Sequence, residues 1–169
     1  MILGSIIDSG ITVDELVAGL DAMHVSGYSL HSQKTQRGGL EGTHLEVILD
    51  SEGKKKHQLQ DFIALVEKSD LSDSVIERSV AVFQRLAEAE SLVHGVPVEE
   101  THLHELGTLD TLVDVVGSVL GLEMLGINDM YCSSFPLGSG TVKTEHGVLP
   151  VPAPATAALF SLALSLIHI

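Results

Sequence analysis

Tryptophan is absent, and the 169 residues include only two tyrosines and four phenylalanines. Aromatic platforms for stacking bases are therefore lacking, and the core must be built mainly from Leu, Val, Ile and Ala. Basic residues are scarce too: nine Lys and Arg stand against 23 Asp and Glu, for a formal charge of -14. Such a field repels phosphate backbones and anionic headgroups, which argues against nucleic acid or a membrane surface as partner. It attracts cations, although plain solubility explains it equally well. The single cysteine, Cys132, cannot close an internal disulfide and fits a reducing, cytoplasmic setting. The apolar start, Met1 to Ile7, is short and carries no basic residue, so no export signal is read there.

What is present points to one ordered domain. Hydrophobic residues make up 44%, which excludes disorder, and the length suits a single core. Val148 to Ile169 has no Asp, Glu, Lys or Arg, but Pro150, Pro152 and Pro154 forbid a continuous helix through its first third. Its last six residues, Leu164-Ser165-Leu166-Ile167-His168-Ile169, are what a common transposon sequencing adaptor encodes in one frame. The expected organisation is a domain over 1–163 and read-through over 164–169.

Periodicity predicts a first helix from Ile2, Leu3, Ile6 and Ile7, stopped near Gly10, and a second over Val13 to Met23 capped by Thr12. Tyr28 to His31 and His44 to Leu49 alternate as antiparallel strands, joined through Gly38 to Gly42. Lys54-Lys55-Lys56 reads as a solvated loop tip with His57 beside it in solvent. A short helix follows around Phe62 to Val66. Ser72 caps a long one running to His94, ended by Gly95 and Pro97. Thr108 opens a helix to Leu125, Asp129 to Ser133 reads as a strand, Thr141 to Thr144 follows a glycine turn, and a last helix covers Ala155 to Leu162. The class is α+β, with a small mixed sheet packed against several helices.

Chemistry concentrates between Glu99 and Gly121. His102 and His104 are two apart, so in an extended segment both imidazoles point the same way, and Glu105 follows directly. Asp110 and Asp114 lie one helical turn apart, and the same stripe continues through Gly117 and Gly121, where another backbone or a ligand can come close. Two carboxylates in the first turns are also what the helix dipole favours. Imidazole with carboxylate is a ligand set for borderline divalent metals such as nickel, zinc or iron. His146, in a turn before Gly147, can complete such a set, although a lone turn histidine is usually solvated. His94 at a helix C-terminus suits the dipole there, and Cys132 reads as a small buried residue. No P-loop, nucleophile elbow or zincin motif occurs.

These residues resemble those of a known family. His102-Leu103-His104-Glu105-Leu106-Gly107, Asp110 and Val113-Asp114-Val115-Val116-Gly117 are similar to a signature of the LarC family of nickel-pincer cofactor biosynthesis. So are Leu86 to Glu90, Val93-His94-Gly95, Tyr131-Cys132-Ser133, Pro136-Leu137-Gly138, and the proline-spaced run His146 to Thr156. The resemblance implies a nickel chelatase or cyclometallase, which inserts nickel into pyridinium bisthiocarboxylate mononucleotide with CTP hydrolysis. Its product serves lactate racemase and similar racemase-type enzymes. The residues themselves add the expected placement: metal at His102, His104, Glu105 and His146, catalysis at Asp110, Asp114 and Glu105, and close ligand approach at Gly117 and Gly121.

The chain departs from that pattern in three places. The family's opening strand and Gly-rich loop are missing before Met1, a histidine-rich tract is replaced by Gly53 to Gln58, and the part associated with CTP and its divalent metal is absent. The fragment is expected to be inactive alone, and self-association is left open. A non-catalytic nickel-binding module and a metal-dependent hydrolase are the other readings.

Overall fold

A computed structural model of the chain describes residues 1–101, 106–131, 133, 135–144 and 146–164, with side chains up to 161. The class is α+β, as expected. Helix α1 (Ile2–Asp8) is followed by α2 (Val13–Leu20), whose start carries a reciprocal cap. Thr12 Oγ1 accepts from the Glu15 amide at 3.2 Å, while Glu15 Oε2 accepts from the Thr12 amide at 2.8 Å. A 3-10 turn, Asp21–Met23, takes the last residues assigned to that helix from sequence.

Strands β1 (Tyr28–Arg37) and β2 (Leu40–Leu49) pair antiparallel from Tyr28↔Leu49 to Arg37↔Leu40. The connection is tighter than the glycine pattern suggested. Only Gly38 and Gly39 turn, both with positive φ (58° and 82°), which is the geometry of a two-residue hairpin. Leu40, Glu41 and Gly42 already belong to β2.

Helix α3 (Leu59–Glu67) leads into α4 (Asp73–His94), capped by Ser72 and closed by Gly95 in the left-handed conformation. Ser72 Oγ also donates to Glu123 Oε1 at 2.7 Å, fastening the start of α4 to the end of α5 (Leu109–Met124). Strands β3 (Thr141–Thr144) and β4 (Gly147–Pro150) form a second antiparallel pair, and α6 (Pro154–Leu164) packs on α4. The strands thus make two separate two-stranded antiparallel sheets rather than one mixed sheet. Among the described residues no helix is long and apolar enough to cross a membrane.

Two local expectations are corrected. Asp129–Tyr131 has no regular structure, because no ladder partner runs beside it among the described residues; Met130 and Tyr131 stay exposed. Cys132 lies outside the described residues. His57 is half-buried, its ring 5.5 Å from that of Phe62. Its amide donates to the Gly107 carbonyl at 2.7 Å, so the lysine loop is tied to the approach to α5.

The core lies between α1, α2, α3, α4 and α5, with Phe62 and Phe83 stacked at 5.4 Å among Leu16, Leu20, Leu112 and Val116. Two close approaches set its geometry. A Cβ at Gly4 would run into the Thr43 carbonyl oxygen of β2, and one at Gly121 would stand 2.7 Å from Ile6 Cγ2. Gly4→Ala should therefore lose about 2 kcal/mol in urea unfolding, since a paired strand carbonyl cannot step aside. Gly121→Ala should lose about 1 kcal/mol, less than Gly4→Ala, because the contact is with Ile6 side-chain atoms that can shift slightly and alanine favours the helix. Equal losses at the two sites would contradict this packing.

Asp8 fastens α1 to the hairpin. Its carboxylate accepts from Lys34 Nζ (2.6 Å), Thr43 Oγ1 (2.6 Å) and the Thr43 amide (2.8 Å). The Lys34 hydrogen bond, then those from Thr43, lower its pKa from 3.8 to about 2. A carboxyl with a depressed folded pKa stabilises fully above its unfolded value and loses that contribution as the pH falls through its folded one. Asp8→Asn should flatten the pH dependence of stability between 3.8 and about 2. A mutant profile parallel to wild type through that window would exclude the role.

Candidate functional site

Helix α5 begins with its carboxylates turned toward its own first turn. Thr108 Oγ1 hydrogen-bonds Asp110 Oδ1, which also accepts from the Thr111 amide at 2.9 Å. That satisfies donors at a helix N-terminus and commits Asp110 to capping chemistry. Asp114, one turn on, is exposed on one side and lines an apolar groove on the other. Loss of water against that groove pushes its carboxyl above 3.8; the Met1 ammonium opposes the shift and Asp110 adds to it.

Gly117 and Gly121 face the core. Both are buried, and the stripe that starts with carboxylates continues as a core face. The close neighbour at Gly117 is Leu3 (3.1 Å from an added Cβ), with Leu20 behind it, and at Gly121 it is Ile6. The space the glycines open is filled by side chains of α1 and α2.

His146 sits in the turn between β3 and β4, its amide 3.1 Å from Thr144 Oγ1. Its ring lies 5.0 Å from that of His94, tilted by 56°. His94 ends α4, as read from sequence, and its Nε2 lies 3.4 Å from Glu90 Oε2, one turn back on the same helix. These three groups line a cavity of about 280 Å³ whose other walls include Leu86, Leu149 and Pro154. Sequence reasoning missed Glu90 and assigned His94 to the dipole alone; the available signal was their i, i+4 spacing on α4.

The groove holding Asp114 is a second and larger space, about 930 Å³, between α1, α4 and α5. Ile2, Val115, Val119 and Met130 line it. Leu86 and Leu106 border both spaces and stand as a partition. His146 and Asp114 therefore face different cavities. His102, His104 and Glu105 lie outside the described residues. The segment is bracketed by Thr101, buried and donating from Oγ1 to the Pro97 carbonyl at 3.1 Å, and by Leu106 in the partition. Among the described residues no three His, Cys, Asp or Glu groups close around a point as a finished ion site.

A family model described as Nickel insertion protein matches residues 1–165. The chain belongs to the nickel insertion protein family. A protein of Dictyoglomus thermophilum named for nickel insertion is 43% identical over 156 residues, covering 92% of this chain and 40% of the relative. One from Thermomicrobium roseum is 45% identical over 162 residues, 95% of this chain and 40% of its own. A Desulfitobacterium hafniense relative is 39% identical over 161 residues, again 95% and 40%. Its name is pyridinium-3,5-bisthiocarboxylic acid mononucleotide nickel insertion protein. The chain spans about two fifths of the length of these nickel insertion proteins. No solved structure matches.

The raised Asp114 pKa has a consequence opposite in sign to that of Asp8. A carboxyl that binds its proton more tightly when folded contributes stability below its unfolded value, and this is lost as the pH rises through the folded one. Asp114→Asn should remove a decline in stability on going up from pH 3.8, read as urea midpoints in small pH steps. A decline of unchanged depth in the variant would rule out the desolvated carboxyl as its source.

Proposed function

We propose that this chain is the metal-receiving part of a protein that inserts nickel into pyridinium-3,5-bisthiocarboxylic acid mononucleotide to form the nickel-pincer cofactor. The observation that carries the reading is His146, at the turn between β3 and β4, lining a cavity that Leu106 also borders, in a chain of the nickel insertion family. Nickel is the cargo, and imidazole with carboxylate matches its borderline character.

His102, His104, Glu105 and His146 are the proposed ligands. Each imidazole must be neutral and each carboxylate ionised to donate a lone pair, so loading displaces protons. A nickel–carbon bond made at a ring carbon bearing hydrogen releases one more proton. A carboxylate with raised proton affinity is a suitable acceptor, which gives Asp114 a role on the groove side. Glu105 is the second acid of this set. Asp110, held by Thr108 and Thr111, orients the start of α5, and that engagement disfavours a hydrolase in which it activates a metal-bound water. CTP with its divalent metal, and transfer of the product to a racemase-type enzyme, belong to the complete protein in this proposal.

Calorimetric titration of the chain with nickel chloride tests the assignment. The double variant His102→Ala and His104→Ala should bind nickel at least about tenfold more weakly, with an unchanged circular dichroism spectrum. Retention of wild-type affinity by a folded double variant would remove these histidines from the site.

A further inference from the structure

Glu90 and His94 have a chemistry that the assignment above leaves unused. Their side chains are only 19% and 25% exposed, whereas Glu88 on the same helix keeps 47% of its surface in water. An ordinary helix-end pair accounts for part of this, since an i, i+4 carboxylate and imidazole attract and the imidazole suits the C-terminal dipole. It does not account for the second ring. The β3–β4 turn brings His146 against the end of α4, and the rings meet at 5.0 Å with a 56° tilt. This is not a parallel stack, and the walls around it are apolar: Leu86, Val93, Leu149 and Leu159.

The ring spacing has a simple metal reading. Nitrogen–metal bonds of about 2.0–2.1 Å place two imidazole centroids on one ion roughly 4.5–5.2 Å apart, depending on the bond angle. The observed 5.0 Å falls inside that span. Glu90 Oε2, 3.4 Å from His94 Nε2, steadies that ring electrostatically.

We propose that the last turn of α4 is part of the metal site: His94 and His146 donate to one divalent ion of the nickel class, with Glu90 as the anchor of the His94 ring. The inference rests on the nickel reading above and adds to it a fixed arm on the long core helix. Among the described residues no three His, Cys, Asp or Glu groups gather as an ion site, so the proposal counts two imidazole donors and leaves the other positions to groups outside this cluster. Open positions are what a protein that passes an ion on requires, because a closed cage retains its metal. The apolar shell raises the strength of each donor contact and excludes competing water.

Nickel chloride alone is the probe, and the 169-residue chain is the protein. In proton NMR, paramagnetic nickel should broaden the imidazole signals of His94 and His146 at substoichiometric metal and leave those of His24 and His31 sharp. By calorimetry, His94→Gln should weaken nickel about tenfold and Glu90→Gln by a smaller factor, with melting temperatures close to wild type. Sharp His94 signals under nickel, or wild-type affinity in folded His94→Gln, overturn the α4 arm. If His102→Ala with His104→Ala still weakens binding in that case, the nickel reading survives without this arm. If none of these variants alters binding, both fail. Should His94→Gln not fold, the broadening experiment on the unaltered chain decides alone.

Discussion

Helix α5 can lie against α1 only because Gly117 and Gly121 present no side chain on the facing surface. Leu3 and Ile6 fill that surface, and the other side of α1 meets β2 through Gly4. A side chain of ordinary size at these points would push α1 away from both neighbours. The groove that partly desolvates Asp114 is formed by α1, α4 and α5, so its width follows from the same contact. Asp8 completes the arrangement from the other end of α1, where three hydrogen bonds from β1 and β2 hold the hairpin in register. Packing of one short helix therefore decides the surroundings of a carboxylate some distance along α5.

Local signals in the sequence carried well where the determinants are themselves local. Thr12 and Ser72 cap the helices they were assigned to, and the apolar spacing of α4 runs to His94 and stops at Gly95. The chemistry of a cap is complete within four residues, so no tertiary knowledge is needed. Asp129–Tyr131 failed for the opposite reason. Alternation marks a segment suited to pleating, but a strand exists only where another backbone accepts its hydrogen bonds, and that partner cannot be read from the segment.

The stripe Asp110, Asp114, Gly117, Gly121 shows the same limit in the candidate site. Helical spacing correctly puts the four on one side of α5, and the two carboxylates are near enough to influence each other. Spacing does not say what faces each turn. One half of the stripe meets solvent and a groove while the other lies under α1, and the glycines serve packing. The partition by Leu86 and Leu106 is likewise invisible from sequence, since it joins residues of two separate segments. The pairing of His94 with His146 crosses more than fifty positions, and only the turn between β3 and β4 brings it about.

Two neighbouring spaces divided by leucines keep the imidazoles and Asp114 in different surroundings. A carboxylate placed beside nitrogen donors binds the cation, gives up its proton affinity to the charge and is lost as a base. Asp114 keeps its raised pKa on the groove side of Leu86 and Leu106, apart from the cavity lined by His94 and His146. In the proposed function, metal binding and proton acceptance are thereby given to different places. The net charge of -14 complements this division, because it draws cations toward the surface without requiring a carboxylate cage around the donors. In the proposed function, an ion bound by few protein groups is one that can pass to a substrate that brings its own sulfur ligands.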